Sequence, residues 1–255
     1  MKNKILYIIL LSTIIFCLDG YELANLIDSK LKPSDIQSTN SMKLINKKGR
    51  IKNLKLISKS KDNNNRQMIW FLSPADDKGM AFLKIEYPDK DNLMKMWLPG
   101  FKKFRRIASS KQSDSFMGSD LSFEDLTNRK IDDYTYNLIE EKEICIYKEK
   151  DYNCYVLESI PNEINSGYTK HITWIIQIEK GIYLAIKEHS FDKDKELLKI
   201  KNIEFNKIES FYIMNNLFVK NIKKKSSTLL TIDNISLNLG FKDEMFKETN
   251  LKRLP

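Results

Sequence analysis

The residue types that most often carry catalysis are sparse in this chain. Its two histidines, His171 and His189, stand far apart in segments that read as strands. No HExxH, CxxC, GxSxG or P-loop pattern occurs, so the spaced ligands of a hydrolytic zinc, the nucleophile turn of a hydrolase and a phosphate cradle are all missing. Gly118-Ser119-Asp120 carries a hydroxyl and a carboxylate, but the three read as a turn: glycine takes positive φ, and serine and aspartate bond nearby amides. The sequence therefore predicts no catalytic residue, no metal site and no cofactor, and a protein that is not an enzyme.

The N-terminus sets the compartment. Lys2 and Lys4 precede an apolar run over 5–16, too short for an ordinary spanning helix and of the length of a secretory leader. Residues 1–20 are read as a signal peptide, and 21–255 as one exported, soluble, periplasmic domain. Cys17 offers a second reading, a lipid-anchored form. Export opens two readings of Cys145 and Cys154: a disulfide across a hairpin, which an oxidising compartment permits, or two free thiols, since Glu149-Lys150 lacks the glycine or asparagine of a tight turn. The net charge of +9 would suit nucleic acid or an anionic surface, but export removes the nucleic acid. With 42% hydrophobic residues the chain buries a core, and 8 Gly and 6 Pro exclude collagen-like or linker-type chains.

The elements that must position any site are mostly strands. Residues 21–31 carry apolar side chains at 23, 26, 27 and 31, a helical spacing that stops before Pro33. Short alternating runs follow at 42–45, 54–56, 68–72, 81–85 and 93–98. Beyond 130 they recur at 134–139, 143–148, 152–159, 171–178, 183–191, 197–205, 211–219 and 229–237. Brief connections predict an antiparallel meander, with helical turns only near 123–127 and 242–246. Such a sheet has one face to hide, by closing into a barrel or by curving under a plug. In 171–178 the even positions are Ile172, Trp174, Ile176 and Ile178, an apolar face that reads as core or cavity wall.

The stretch 70–126 is the most distinctive. It contains Phe71-Leu72-Ser73-Pro74 running to Lys78-Gly79, then Trp97-Leu98-Pro99, Lys102-Lys103-Phe104-Arg105-Arg106-Ile107, and Ser113-Asp114-Ser115-Phe116-Met117-Gly118-Ser119-Asp120. In the order and spacing of these motifs the chain resembles the exported LolA-like family of outer membrane lipoprotein-sorting proteins. One departure is Met96-Trp97-Leu98-Pro99, a residue shorter than the family's usual Trp-x-Tyr-x-Pro. The resemblance implies a mainly β fold with few helices (α+β): a curved antiparallel half-barrel covered by short helices, as in LolA and LolB. It also implies a carrier or chaperone for lipoprotein acyl chains or other lipids, with an inner-membrane transporter or an outer-membrane acceptor as partner. A periplasmic accessory of a membrane exporter, gripping a protein segment, is the alternative.

Under that resemblance Trp70, Phe82, Ile85, Trp97, Ile172, Trp174 and Ile176 would line an apolar cavity from the sheet, and Leu23, Leu26 and Ile27 from the helix. Each also reads as ordinary core. Arg105 and Arg106 have three readings: holding a lid, with Asp120 and Asp125 as partners; meeting anionic headgroups; or forming a solvated strand end.

Overall fold

The structure, a computed structural model, describes residues 18–163 and 165–255. The expected leader up to Cys17 lies outside the described residues. Among the described residues the polypeptide forms one α-helix, α1 (Gly20–Asp28), and thirteen strands. These are β1 (Asp35–Ile45), β2 (Ile51–Lys61), β3 (Arg66–Ser73), β4 (Ala81–Ile85), β5 (Leu93–Leu98), β6 (Lys103–Arg106) and β7 (Tyr134–Tyr147). They continue as β8 (Lys150–Pro161), β9 (Lys170–Glu179), β10 (Ile182–Phe191), β11 (Leu197–Ile208), β12 (Phe211–Asn221) and β13 (Ser226–Leu237).

All thirteen lie in a single antiparallel, curved and unclosed sheet, ordered β6-β5-β4-β3-β2-β1-β13-β12-β11-β10-β9-β8-β7. Every neighbour is a hairpin partner except β1 and β13, which join the two ends of the chain. One consequence is forced by the topology. β6 and β7 are consecutive in sequence yet sit at opposite edges, so residues 107–133 must cross the sheet. Twelve inter-strand steps at ~4.8 Å make ~58 Å if flat, within reach of this segment at ~3.4 Å per residue. The sheet covers one face with its own connection.

That covered face can be traced by register. Leu157, Thr173, Glu188, Lys201 and Val219 are successive cross-strand partners and so point the same way. Helix α1 lies at one end of it, with Leu23 fully buried among Leu157, Ile175 and Tyr183. A capping box starts the helix: the Glu22 amide donates to Asp19 at 2.7 Å, and the Asp19 amide donates to Glu22. The expected end of the leader, near Gly20, falls inside this cap. A Cβ on Gly20 would sit 3.1 Å from the backbone of Asn137 and Leu138, so only glycine lets the helix lie this close to β7.

The expectation of a cover made of short helices is corrected. Among the described residues the only α-helix is α1, and 107–133 contains just the 3-10 turns Ser109–Lys111, Glu124–Leu126 and Ile131–Asp133. Its Ser, Asp and Gly residues bond locally and hold the backbone in turns, with Met117 and Gly118 at positive φ and Ser115 bridged to Ser122. From these turns Ile107, Phe116, Leu121 and Phe123 pack on Met42, Leu54, Phe71, Phe82, Met94 and Val219.

The opposite face of β2–β6 is also apolar. Met68, Trp70, Ala81 and Leu83 are buried there beneath Phe246 and Leu251 of the C-terminal segment. β3 is thus buried on both faces, as its unbroken Met68-Ile69-Trp70-Phe71-Leu72 run suggests. β5 pairs with β4 and β6 without a register shift despite its shortened motif. The turn of the β7–β8 hairpin is Lys148-Glu149, both at positive φ, one residue earlier than expected. Cys145 therefore faces Tyr152 rather than Cys154, and a disulfide joins the two cysteines diagonally.

Candidate functional site

Beside the packed aromatics of 107–133, the covered face holds a cavity of about 430 Å³. Its floor comes from β1–β3 and β11–β13, its roof from Phe116, Leu121 and Leu126, and its rim from residues 30–36 after α1. The walls divide by character. Met42, Leu56, Ile69, Leu217 and Leu230 form an apolar end, while Ser38, Asn40, Ser58, Ser60 and Gln67 form a polar end. Strand alternation builds this division: in β2, Leu56, Ser58 and Ser60 project from one face in succession. Ser38 Oγ donates to Asn40 Oδ1 at 2.9 Å, and Gln67 Oε1 is buried without a hydrogen-bond partner. A cavity that is greasy at one end and hydrogen-bonding at the other suits an amphiphile.

The roof is held by charge. Asp125 is buried and receives Lys199 and Lys201 at 2.7 Å each, the Tyr168 hydroxyl at 2.9 Å and the Ser122 amide at 2.8 Å. Lys201 also reaches Glu188 at 2.9 Å, and Arg129 clamps the same carboxylate with two bonds of 2.5 and 2.9 Å. Burial alone would push both carboxyls up. The ammoniums of Lys201 and Lys199 outweigh it at Asp125, and Arg129 with Lys201 does so at Glu188, so both lie well below the ordinary carboxylate range. His171 is buried beside them, where burial and then the Arg129 guanidinium lower it to about 4. Nearby, Lys84 donates to the Leu126 carbonyl at 2.6 Å and Glu86 accepts from the Asn128 amide at 3.0 Å. Asp120 takes Ser226 at 2.5 Å and Thr228 at 2.9 Å.

None of the ten apolar candidates lines this cavity. Trp70, Ile85 and Trp97 lie on the opposite face, under the C-terminal segment. Phe82 is on the covered face but fully enclosed by Phe116 and Phe123, with ring centroids 5.3 and 5.7 Å away. Ile172 sits between Glu158 and His189 in register, and Trp174 meets the His189 ring edge-on and donates to Glu143 at 2.9 Å. Ile176 packs with Cys154 and Leu184. Leu26 and Ile27 join Leu23 against β8–β10.

The expected pairing of Arg105 and Arg106 with Asp120 and Asp125 is corrected too. The arginines are exposed on β6, the sheet's edge, whereas both aspartates dock on strands near the middle. The sequence does not single out Lys199, Lys201, Glu188 or Arg129, and it assigns His171 no role beyond its place in a strand. The one signal was Lys199-Ile200-Lys201, an alternation in which the lysines, not the isoleucine, face in. Among the described residues one acidic group, Asp192, Asp194 and Glu196, could hold a metal, but it converges on the Lys223 ammonium in a largely exposed ion cluster.

Among the described residues no helix is long and apolar enough to cross a membrane. No curated protein matches the sequence. A family model described as "uncharacterized protein" matches residues 63–253. Among solved structures, a domain named for outer membrane lipoprotein sorting from Vibrio parahaemolyticus superposes with a TM-score of 0.83 at 26% identity, covering 92% of this chain and 98% of that one. A DUF1329 family protein from Desulfovibrio piger gives 0.81 at 26% identity, covering 91% and 97%. A LolA superfamily protein from Nitrosomonas europaea gives 0.70 at 16% identity, covering 92% and 100%, a likeness of fold. Matched over three quarters of its length by the family model, the chain belongs to that family, and it has the LolA-like fold of these structures.

Proposed function

We propose that this protein is an exported, non-catalytic carrier that shelters the aliphatic part of a lipid or lipoprotein client on its way across the periplasm. The observation that carries this reading is the amphiphilic cavity between the sheet and residues 107–133. Each methylene moved out of water gains roughly 0.8 kcal/mol, so an apolar pocket binds a chain without chemistry and gives it up where a membrane or acceptor offers equal burial. The LolA-like fold and the lipoprotein-sorting name of the Vibrio parahaemolyticus domain support the same use. A transporter that loads the carrier and an acceptor that unloads it are the partners this implies.

The test is native mass spectrometry of the gently purified protein, together with titration of a fluorescent acyl probe. Bound lipid and saturable probe binding are expected. Leu230→Trp, which fills the apolar end, should abolish binding while the melting temperature holds. Probe binding unchanged in that variant would refute the reading.

A further inference from the structure

Five charged residues line the cavity: Lys30, Lys32, Asp35, Lys61 and Asp125. Four of them are satisfied by the protein itself. Lys32 pairs with Asp28 and Lys61 with Asp243, each at 2.7 Å. Asp35 accepts the amides of Leu239, Gly240 and Phe241 at 2.7–3.0 Å, and Asp125 is held by its two lysines. Lys30 is different. Among the described residues it has no counter-ion within bonding distance, and its ammonium lies 4.7 Å from the centroid of the Phe205 ring, another wall of the same cavity. Among the described residues the cavity thus carries one cation to which no carboxylate is bonded.

An uncompensated charge in a partly desolvated place is costly, and it is relieved when a ligand brings the opposite sign. The cavity volume lies toward the lower end of small-ligand sites, which run to roughly 300–1,000 Å³, room for one aliphatic chain rather than a bundle. We infer that the cavity is built for a single-chain lipid with a carboxylate head, and that Lys30 receives that head. The inference rests on the carrier reading and sharpens it: the chain lies along Leu56 and Leu230, and the head stays at the rim.

The chemistry of Lys30 supports the assignment. Burial first, and then the Lys32 ammonium, lower it to about 8, with Asp28 opposing. It is therefore mostly charged near neutrality and mostly neutral two units higher. Asp35, Lys61 and Asp125, which reach the cavity from other elements, are each bonded to partners of their own, and the Tyr212 hydroxyl on the same wall is raised to about 12 by burial and then by its bond to Glu179. Affinity for a carboxylate should follow the charge of Lys30, whereas affinity for an uncharged chain should not.

The experiment displaces the acyl probe with palmitate or with hexadecanol, which share the chain and differ in the head. Near pH 7 palmitate should bind about tenfold more tightly, as a charge-assisted bond exceeds a neutral one. Near pH 10 the gap should close. Lys30→Met should lose the gap but keep hexadecanol, and Lys30→Arg should keep both the gap and its presence at high pH. Equal binding of the two ligands by the unaltered protein near pH 7, or a gap that survives in Lys30→Met, overturns the inference while leaving the carrier reading in place. Failure of both ligands to bind overturns both readings together.

Discussion

Both faces of β2–β5 carry buried apolar residues and both are covered, yet they are closed in different ways. The face carrying Trp70 and Leu83 meets the C-terminal segment, whose Phe246 and Leu251 fill it. Its ion pairs, Lys61 and Arg66 with Asp243 and Lys95 with Glu248, are partly exposed. The face carrying Met42 and Leu56 meets residues 107–133, whose Phe116 and Phe123 fill one part and leave the cavity beside them. That roof is fastened by buried charges on Asp125 and Glu188. The lesson is that hydrophobic alternation marks surfaces to be hidden, and only the cover decides which becomes core and which becomes a site. A solid apolar seal leaves no guest space. A roof anchored at a few ionic points can stand off the sheet and still stay put.

The strongest way to break this contrast is to unfasten the roof. Asp125→Ala strands Lys199, and it removes one of the two carboxylates that Lys201 meets. Taking one partner from a buried pair costs about 3–5 kcal/mol, so chemical denaturation should show a loss of that order, with acyl-probe binding falling alongside it. The pH dependence has a definite sign. The Asp125 and Glu188 carboxyls are held below their ordinary values in the folded chain, so their stabilisation is complete above about pH 5 and is lost as pH falls through the carboxylate range. His171 adds to this: between about 6.5 and about 4 the unfolded chain takes up a proton that the folded one refuses. Acid unfolding should therefore begin mildly below pH 6.5 and steepen below 5, and Asp125→Ala should flatten the steep part.

Phe246→Ala attacks the other cover. The side chain is almost wholly buried, and truncating such a residue costs about 3–5 kcal/mol at most, less where the surroundings collapse into the space. Its expected signature departs from the first in one respect: stability falls, but probe affinity measured well below the unfolding transition stays put. If binding fell as well, the two faces would be coupled through β3 and the division of labour between them would fail.

Much of the architecture was legible before the coordinates. The strand sites, the helix at the N-terminus and the turns near 123–127 and 242–246 appear where periodicity and turn residues put them, because those signals are local, except that the two runs expected at 134–139 and 143–148 are one continuous strand, β7. β6 stood in the sequence only as one of three readings, a solvated strand end, since Lys103-Phe104-Arg105-Arg106 shows charge rather than alternation. The site was harder to see for a physical reason. Parity assigns an apolar side chain inward, but at His171, Thr173, Glu188, Lys199 and Lys201 the inward residues are polar, because Asp125 and Arg129 arrive from a distant segment to pair with them. Likewise, nothing local says that Trp70 and Trp97 point to the C-terminal side and Ile69 to the cavity side. That depends on which cover docks where, and so on the β1–β13 pairing and the crossing of 107–133.

The smallest effect is expected at the most basic run in the chain. Lys103, Arg105 and Arg106 project into solvent from the outermost strand, and the aspartates that could have held them are engaged elsewhere. If ionic fastening of the roof is what separates the two faces, then charge that is not part of the fastening should not matter to it. Arg106→Leu should leave both the melting temperature and the affinity for the acyl probe as they are, in contrast to Asp125→Ala. Its one consequence should appear with anionic vesicles: basic residues near a charged bilayer each add about 1 kcal/mol of attraction, so the variant should bind such vesicles more weakly and neutral ones unchanged. A fall in probe affinity would mean that the edge strand reaches the roof after all, and the distinction between the sealed face and the roofed one would then have to be drawn on other grounds than where the ion pairs lie.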